Sequence, residues 1–292
     1  MTAGQREGES GMSEHVPDPP PRSSRAGRDL RAAIGVGVAL GAAIITSLLT
    51  VRHLFVGIIA VAVVISSWEL AGALRRGSGT RVALAPLLVG GQLMLWLSWP
   101  FGMRGLLVAF VLTTLGCLAW HFRRGADGFV RDVTASVFTA AYVPLFASFA
   151  AMLVWPGDGD FRVLCFMLGV VASDTGGYAT GVLLGRTPMA PRISPKKSWE
   201  GFGGSMVAGT AMGALTVSLL LGGHWWQGVL FGAAVVCSAT LGDLMESLIK
   251  RDLGIKDMGD LLPGHGGLMD RMDSLLPSAV VSWLMLSLFV PA

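Results

Sequence analysis

Residues 225–249 read WWQGVLFGAAVVCSATLGDLMESLI. This segment is long enough to cross a bilayer, because a helical span needs about 20 mostly apolar residues. Its only charged residues, Asp243 and Glu246, lie near its C-terminal end, and the basic pair Lys250 and Arg251 follows directly. The segment therefore predicts a membrane helix that ends in a polar region.

The whole chain has the composition of an integral membrane protein. Apolar residues make up 52% of the 292 and charged residues 14%, with a mean hydropathy of +0.62. A soluble domain carries about 25% charged residues. In a soluble protein, a net charge of +3 and a pI near 9.0 would suggest nucleic acid. Here the basic residues are expected in loops that set membrane orientation, so the expected partner is the lipid bilayer and no nucleic acid.

Nine apolar segments predict an all-α polytopic membrane protein of about nine transmembrane helices. Residues 1–29 are predicted to be a disordered cytoplasmic tail, because they are rich in Gly, Pro, Ser, Arg and Glu. Residues 30–160 would form an N-terminal region of about five helices. Residues 161–292 would form a second region of about four, with cytoplasmic loops 186–200 and 250–273. The predicted spans are Ala32–Val51, Leu54–Leu74, Val82–Phe101, Gly105–Trp120, Val133–Trp155, Val163–Gly185, Gly201–Gly222, Trp225–Ile249 and Ser274–Val290.

The distribution of basic residues supports nine spans. With nine, the loops on one side receive 19 of the 22 Lys and Arg residues, and the other side receives only Arg52, Arg104 and Arg162. Cytoplasmic loops carry such an excess, which places the N-terminus and both long loops in the cytoplasm. Eight or ten spans remain alternatives, because the fourth segment is short and only two residues separate the first from the second.

Asp174 lies inside the sixth segment, two to three helical turns before Arg186. A carboxylate at that depth costs at least ~2.5 kcal/mol and normally marks a functional site. Gly177, Gly181 and Gly185 follow it at four-residue spacing, a row that lets a neighbouring helix approach closely.

The sequence ISPKKSWEG, residues 193–201, leads into the seventh segment. Free backbone N–H groups and the positive end of a helix dipole make such a junction a natural phosphate site. Ser194, Lys196 and Lys197 are therefore candidate anion ligands. The alternative is that the two lysines only set topology.

A third polar group brackets the second long loop. If this segment is helical, one face carries Asp243, Glu246, Ser247 and Lys250. Asp270 and Asp273 open the last span. Carboxylate oxygens beside basic residues at a membrane surface suit Mg²⁺ and phosphate chemistry. The alternative, a solvated loop with incidental ion pairs, does not explain carboxylates inside the spans.

The stretch 247–273 resembles the signature of phosphatidate cytidylyltransferases, also called CDP-diacylglycerol synthases. The SDTGGY and SPKKSWEG stretches are similar to two others of that family, so the resemblance covers residues 172–273. The matching signature positions are Ser247, Lys250, Arg251, Lys256, Asp257, His265, Gly266, Gly267, Asp270, Arg271, Met272 and Asp273.

The resemblance implies an enzyme that converts CTP and phosphatidic acid into CDP-diacylglycerol and pyrophosphate at the plasma membrane, for phospholipid biosynthesis. It also implies Mg²⁺ as cofactor, with a second cation left open. Metal ligands would be Asp243 and Asp270, with Asp174 and Asp273 as further ligands. Catalytic residues would be Asp243, Asp270, Lys250, Arg251 and His265. Substrate would be bound by Ser194, Lys196, Lys197, Ser247, Lys256, Asp257, Gly266, Gly267 and Arg271.

Several alternatives stay open at this point. A CTP-dependent lipid kinase, or a cytidylyltransferase that acts on another lipid, would need similar charges. An ion-coupled transporter is a different class, in which Asp174 and glycine-broken helices would form a midplane ion site. Metal-dependent consumption of CTP separates an enzyme from a transporter. A homodimer is left open as the assembly.

Overall fold

The computed structural model describes residues 41–42, 44–48, 50–261 and 266–290. The predicted tail, most of the first predicted span and His265 therefore lie outside the described residues. The elements in chain order are α1 (Arg52–Ser78), α2 (Leu84–Phe122), α3 (Phe129–Ala140), α4 (Phe146–Val154), α5 (Gly159–Leu184), β1 (Pro188–Ala190), β2 (Ser194–Ser198), α6 (Trp199–Leu220), α7 (Trp225–Asp252), α8 (Met269–Met272) and α9 (Leu275–Phe289).

The predicted helical membrane fold is confirmed. By length and apolar composition, seven helical stretches of the described chain could cross a membrane, with α3 and α4 forming one stretch and α8 and α9 another. A π-helical turn around Pro144 joins α3 to α4, because proline has no N–H to continue the α-helical pattern.

The 39-residue helix α2 contains the third and fourth predicted spans. It is interrupted at Gly102, whose φ of 55° and ψ of −141° are not helical. A Cβ placed on Gly90 would clash with Thr113, and one on Gly116 would contact Pro86 at 3.3 Å. These contacts require the two halves of α2 to run antiparallel as a hairpin. The sequence therefore divided this stretch correctly, and eight helical segments can be traced from residue 52 to residue 289.

One end of the helix bundle gathers the loops that were predicted to be basic. The Arg76 guanidinium donates to the Met258 carbonyl at 2.8 Å, and the Arg251 side chain donates to the Ile193 carbonyl at 3.3 Å. The backbone N–H of Arg81 donates to Asp132 at 3.1 Å. We refer to this end of the bundle as the basic end.

The opposite end holds the predicted minority of basic residues. Arg52 donates to the carbonyls of Pro156 and Gly157 at 2.8 and 2.6 Å. Arg162 donates to the Val290 carbonyl at 2.6 Å. The alternation of loops between two ends therefore agrees with the predicted span order.

The C-terminal region is built on close helix packing, with α6 between α5 and α7. A Cβ on Gly181 would contact the Gly201 Cα at 3.8 Å, and one on Gly177 would clash with Ser205. The predicted close approach of a helix to this glycine row is thus confirmed. On the other side of α6, Gly209 faces Gly232 of α7.

Replacing Gly232 with valine should destabilise the protein strongly. A Cβ there would clash with the Gly209 carbonyl oxygen and lie 2.8 Å from the Thr210 Cα, and backbone atoms cannot move aside as a side chain can. We expect a loss of at least about 1–3 kcal/mol, the usual range for overpacking. Thermal unfolding in detergent would measure it. Gly203→Val on α6 is the matched control, because a Cβ at Gly203 meets nothing within 4 Å. Equal loss in both variants would contradict the packing argument.

A short antiparallel β-hairpin is the one β-sheet in the described part of the chain. Strand β1 pairs with β2, so the stretch predicted as an open loop before the seventh span is largely a strand. Some of its backbone groups are therefore paired with a neighbouring strand. The helix itself begins at Trp199, where Ser198 caps it by accepting from the Gly201 N–H at 3.1 Å.

Candidate active site

The last residues of β2 place Lys197 against α7. The Lys197 ammonium forms an ion pair with the Asp243 carboxylate, and both side chains are partly exposed. Two residues from separately predicted stretches, 46 positions apart, are therefore in direct contact. An accessible ion pair at a helix surface keeps its polar groups available to a ligand.

Three of the predicted metal ligands gather around this ion pair. The charges of Asp174 on α5, Asp243 on α7 and Asp273 at the start of α9 interact with one another, and Asp174 also interacts with Lys197. Asp174 is exposed, and the other two are half-buried. These three carboxylates, together with Lys197, form an accessible polar group that we call the aspartate cleft. Three carboxylates facing one lysine leave an excess of negative charge there.

Beside the cleft lies a more buried cluster centred on Lys250. Its ammonium donates to Glu246 at 2.5 Å and to Asp270 at 3.0 Å. The Glu246 side chain is 1% exposed and that of Asp270 is 5% exposed. Lys250 is therefore held by two buried carboxylates, one on its own helix and one from α8. The predicted shared face of Asp243, Glu246 and Lys250 on α7 accounts for the first contact.

Asp270 holds the segment that connects α7 to α8, which we call the signature loop. One carboxylate oxygen accepts from Lys250, and the other accepts from the Gly267 N–H at 2.9 Å. The Met258 N–H donates to both oxygens, at 3.2 and 3.0 Å. Gly266 has a φ of 79°, in the left-handed region, and a Cβ there would lie 3.3 Å from Asp270. The chain thus needs glycine at this position to pass the carboxylate.

Glu69 of α1 contacts the same loop through its buried carboxylate. It is 3% exposed, and its Oε2 accepts from the Met269 N–H at 2.8 Å. A Cβ on Gly259 would clash with its carboxylate, and one on Gly267 would lie 2.6 Å from Oε2. Its Oε1 has no hydrogen-bond partner within the described part of the chain. Both loop glycines therefore allow the backbone to close over this carboxylate.

The remaining predicted residues lie around these two groups. Arg251 is exposed at the end of α7 and is hydrogen-bonded to the β-hairpin. Ser194 pairs with Ala190 in that hairpin. Ser247 is half-buried on α7. The other described members are exposed at the basic end: Lys196, Lys256, Asp257 and Arg271.

The donor chemistry of the aspartate cleft suits a divalent cation, although its geometry constrains which residues could serve. Within the described ranges, no three His, Cys, Asp or Glu side chains lie close enough together to hold one ion. Both oxygens of Asp270 already accept hydrogen bonds, Asp243 is paired with Lys197, and one oxygen of Asp273 accepts from the Ser274 N–H at 2.7 Å. Asp273 is therefore a further candidate to share an ion with Asp243, and the pair Asp243 and Asp270 stays a prediction.

Two carboxylates of this region were not selected from the sequence. Glu246 was placed on the correct face, but no role was assigned to it. Glu69 was not singled out at all. The signal that identified Asp174, a carboxylate inside an apolar span, applies equally to Glu69 and could have found it.

Comparison with known proteins identifies the family of this chain. A model described as the cytidylyltransferase family matches residues 31–289. The phosphatidate cytidylyltransferase of Mycobacterium bovis is 50% identical over 283 residues, which cover 92% of each chain. That of Mycobacterium leprae is 50% identical over 280 residues, 90% of this chain and 89% of its own. A phosphatidate cytidylyltransferase of Helicobacter pylori is 39% identical over 132 residues, 45% of this chain and 49% of its own. The chain belongs to the cytidylyltransferase family.

Proposed function

We propose that this protein transfers the cytidylyl group of CTP to phosphatidic acid, giving CDP-diacylglycerol and pyrophosphate. The observation that carries the proposal is the convergence of Lys197, Lys250 and the three carboxylates of the aspartate cleft at one end of a helical membrane bundle. The mycobacterial relatives, half identical over nine-tenths of the chain, carry the name of this activity.

The location of the site fits the two substrates. Phosphatidic acid brings its phosphate to the surface of the bilayer, while CTP arrives from water. A site at the end of membrane helices, with Asp174 exposed and Asp243 and Asp273 half-buried, would be within reach of both phases. The reaction therefore does not require a substrate to enter the packed centre of the bundle.

The chemistry needs positioning more than proton transfer. An oxygen of the phosphatidate phosphate attacks the α-phosphorus of CTP, the bond from that phosphorus to the bridging oxygen breaks, and pyrophosphate leaves with the bond electrons. The nucleophile is already an anion, so no strong general base is required. Lys197 and Lys250 would hold phosphate oxygens, and fixed cations of this kind stabilise charge that develops in the transition state.

Asp243 and Asp273 are the residues that we assign to Mg²⁺. When bound, the ion would supply additional neutralisation of phosphate charge. Mg²⁺ commonly takes one or two protein carboxylates and completes its shell with water and substrate phosphates. A site of two partly exposed carboxylates fits that pattern.

We further propose that the basic end faces the cytoplasm of the plasma membrane. The support is the 19-to-3 division of Lys and Arg in the sequence, together with the gathering of the basic loops at one end of the fold. This orientation would expose the aspartate cleft to cytoplasmic CTP.

Cysteine labelling would check the orientation. In a Cys237→Ala background, a cysteine at Ala126 in the basic end should react with an impermeant maleimide only from the cytoplasmic side. A cysteine at Gly157, exposed at the opposite end, should react only from outside. Reaction of both from the same side would contradict the assigned topology.

A turnover assay tests the activity itself. Purified protein in detergent, given CTP, Mg²⁺ and phosphatidate, should release pyrophosphate and CDP-diacylglycerol in equal amounts. Omission of any one component should abolish both products. Formation of CDP instead would indicate a kinase. If the wild-type protein consumed no CTP, the assignment as an enzyme would be contradicted.

A further inference from the structure

A cavity lies at the basic end, apart from the aspartate cleft. Its volume is about 870 Å³, and it is bounded by the end of α1, the turn from α1 to α2, Arg124 beyond α2, and the segment Met258–Asp260. None of its lining residues belongs to the aspartate cleft. We call it the arginine cavity.

Four arginines line this cavity: Arg75, Arg76, Arg81 and Arg124. Only two carboxylates, Glu69 and Asp260, line it with them. Within the described part of the chain, the guanidinium groups of Arg75, Arg81 and Arg124 have no carboxylate partner, and all three residues are exposed. The cavity thus presents uncompensated positive charge in a concave setting, which suits an anion.

The position and lining of the cavity indicate what kind of anion it fits. Trp68, 58% exposed, lines it about two helical turns before Arg75 and Arg76 of α1. Tryptophan and arginine at the end of a span are typical of the lipid headgroup level. Apolar lining residues such as Val82 and Leu84 continue the wall toward the bilayer. Basic pockets between membrane helices commonly bind anionic headgroups.

The cavity is connected physically to the signature loop. Arg76 lines it and donates to the Met258 carbonyl, and the N–H of the same Met258 donates to Asp270. Glu69, which also lines the cavity, lies against Gly259 and accepts a hydrogen bond from the Met269 N–H. A ligand that engages Arg75, Arg81 and Arg124 would therefore lie against the outer face of the segment that Asp270 holds from within.

We propose that the arginine cavity binds the headgroup of an anionic phospholipid and that its occupancy raises turnover in the aspartate cleft. The coupling would run through Arg76 and the Met258–Gly259 segment. The binding half of the proposal is independent of the reaction, whereas the regulatory half rests on the proposed function.

Binding is tested first, without CTP. Thermal unfolding of the full chain in detergent is followed while phosphatidylglycerol is titrated, with glycerol 3-phosphate as the soluble phosphate control. We expect phosphatidylglycerol alone to stabilise the wild type. Arg75→Gln and Arg124→Gln should each weaken its apparent affinity about fivefold, the usual contribution of one arginine near a membrane surface. Arg123→Gln is the matched control, because Arg123 is exposed beside Arg124 but does not line the cavity.

Turnover is then measured in phosphatidylcholine nanodiscs with a fixed amount of phosphatidate, with and without phosphatidylglycerol. The wild type and Arg123→Gln should be stimulated, and Arg124→Gln should respond less. Arg76 is left unchanged, because its guanidinium also holds the loop.

Three results would overturn the proposal. Equal stabilisation by glycerol 3-phosphate would assign the cavity to soluble phosphates. Equal loss of phosphatidylglycerol affinity in Arg123→Gln would indicate general surface charge. Phosphatidylglycerol binding without a rise in turnover would refute the proposed effect of the cavity on turnover. Lipid binding by a protein that makes no CDP-diacylglycerol would instead refute the proposed function and leave the cavity assignment standing.

Discussion

Asp243→Asn is expected to lower turnover by at least about 10²-fold, the scale of losing one preorganised electrostatic group. Asp243 is the carboxylate that contacts Lys197 and interacts with both other members of the aspartate cleft. The substitution keeps its size but removes its charge, so it would weaken both the placement of Lys197 and the proposed cation site. Initial rates of pyrophosphate release from CTP and phosphatidate would measure the loss.

Asp252→Asn provides the control for this prediction. Asp252 is the last residue of the same helix, is exposed and lies at the same end of the bundle. Asp252→Asn changes the net charge by the same amount as Asp243→Asn, but outside the aspartate cleft. The turnover of this variant should therefore stay within about twofold of the wild type. Near-normal turnover in Asp243→Asn, with the protein correctly inserted, would refute the assignment of this residue.

Lys250→Gln should damage both stability and turnover. The substitution would leave Glu246 and Asp270 buried without their shared cation, and breaking a buried ion pair typically costs about 3–5 kcal/mol. In a protein of this size such a loss corresponds to a fall in Tm of roughly 10 °C. Thermal unfolding in detergent and the pyrophosphate assay would be run on the same preparation.

A double variant separates the structural from the catalytic part of that loss. Glu246→Gln combined with Lys250→Gln removes the buried acid together with the base, while Asp270 keeps its bonds from the Met258 and Gly267 N–H groups. The Tm should therefore recover in part. Turnover should stay low, because the Lys250 ammonium that we assign to a phosphate oxygen is missing and Lys197 alone remains. Recovery of turnover together with Tm would mean that Lys250 serves only to hold the loop.

The helical segments and the polar residues of the site were predictable because each leaves a local signal. The break at Gly102 divides two apolar runs that each have the length of a span, and Asp174 and Asp243 are charges in apolar surroundings. The secondary structure of residues 194–198 was harder to predict. This five-residue strand pairs with a strand of only three residues and shows no periodicity of its own. The sequence therefore predicted a junction there but no hairpin.

Partners within the site were not predictable, because they depend on how helices pack. The contact of Lys197 with Asp243 requires β2 to lie against α7, which follows from the close approach of α6 to α7 at Gly209 and Gly232. The role of Asp270 was also hidden. Its position before a span suggested a metal ligand, whereas its hydrogen bonds to two loop N–H groups become visible only when the loop is folded around it.

The position of Glu69 bears on how the protein is made. Its hydrogen-bond donor, the Met269 N–H, is synthesised 200 residues after it. During translation, α1 therefore enters the bilayer with a carboxylate whose final partner does not yet exist. Only when the last helix is in place can the loop close over that carboxylate, so completion of the site is coupled to completion of the chain. Premature termination before Met269 would leave an inserted helix whose acidic group lacks this hydrogen bond.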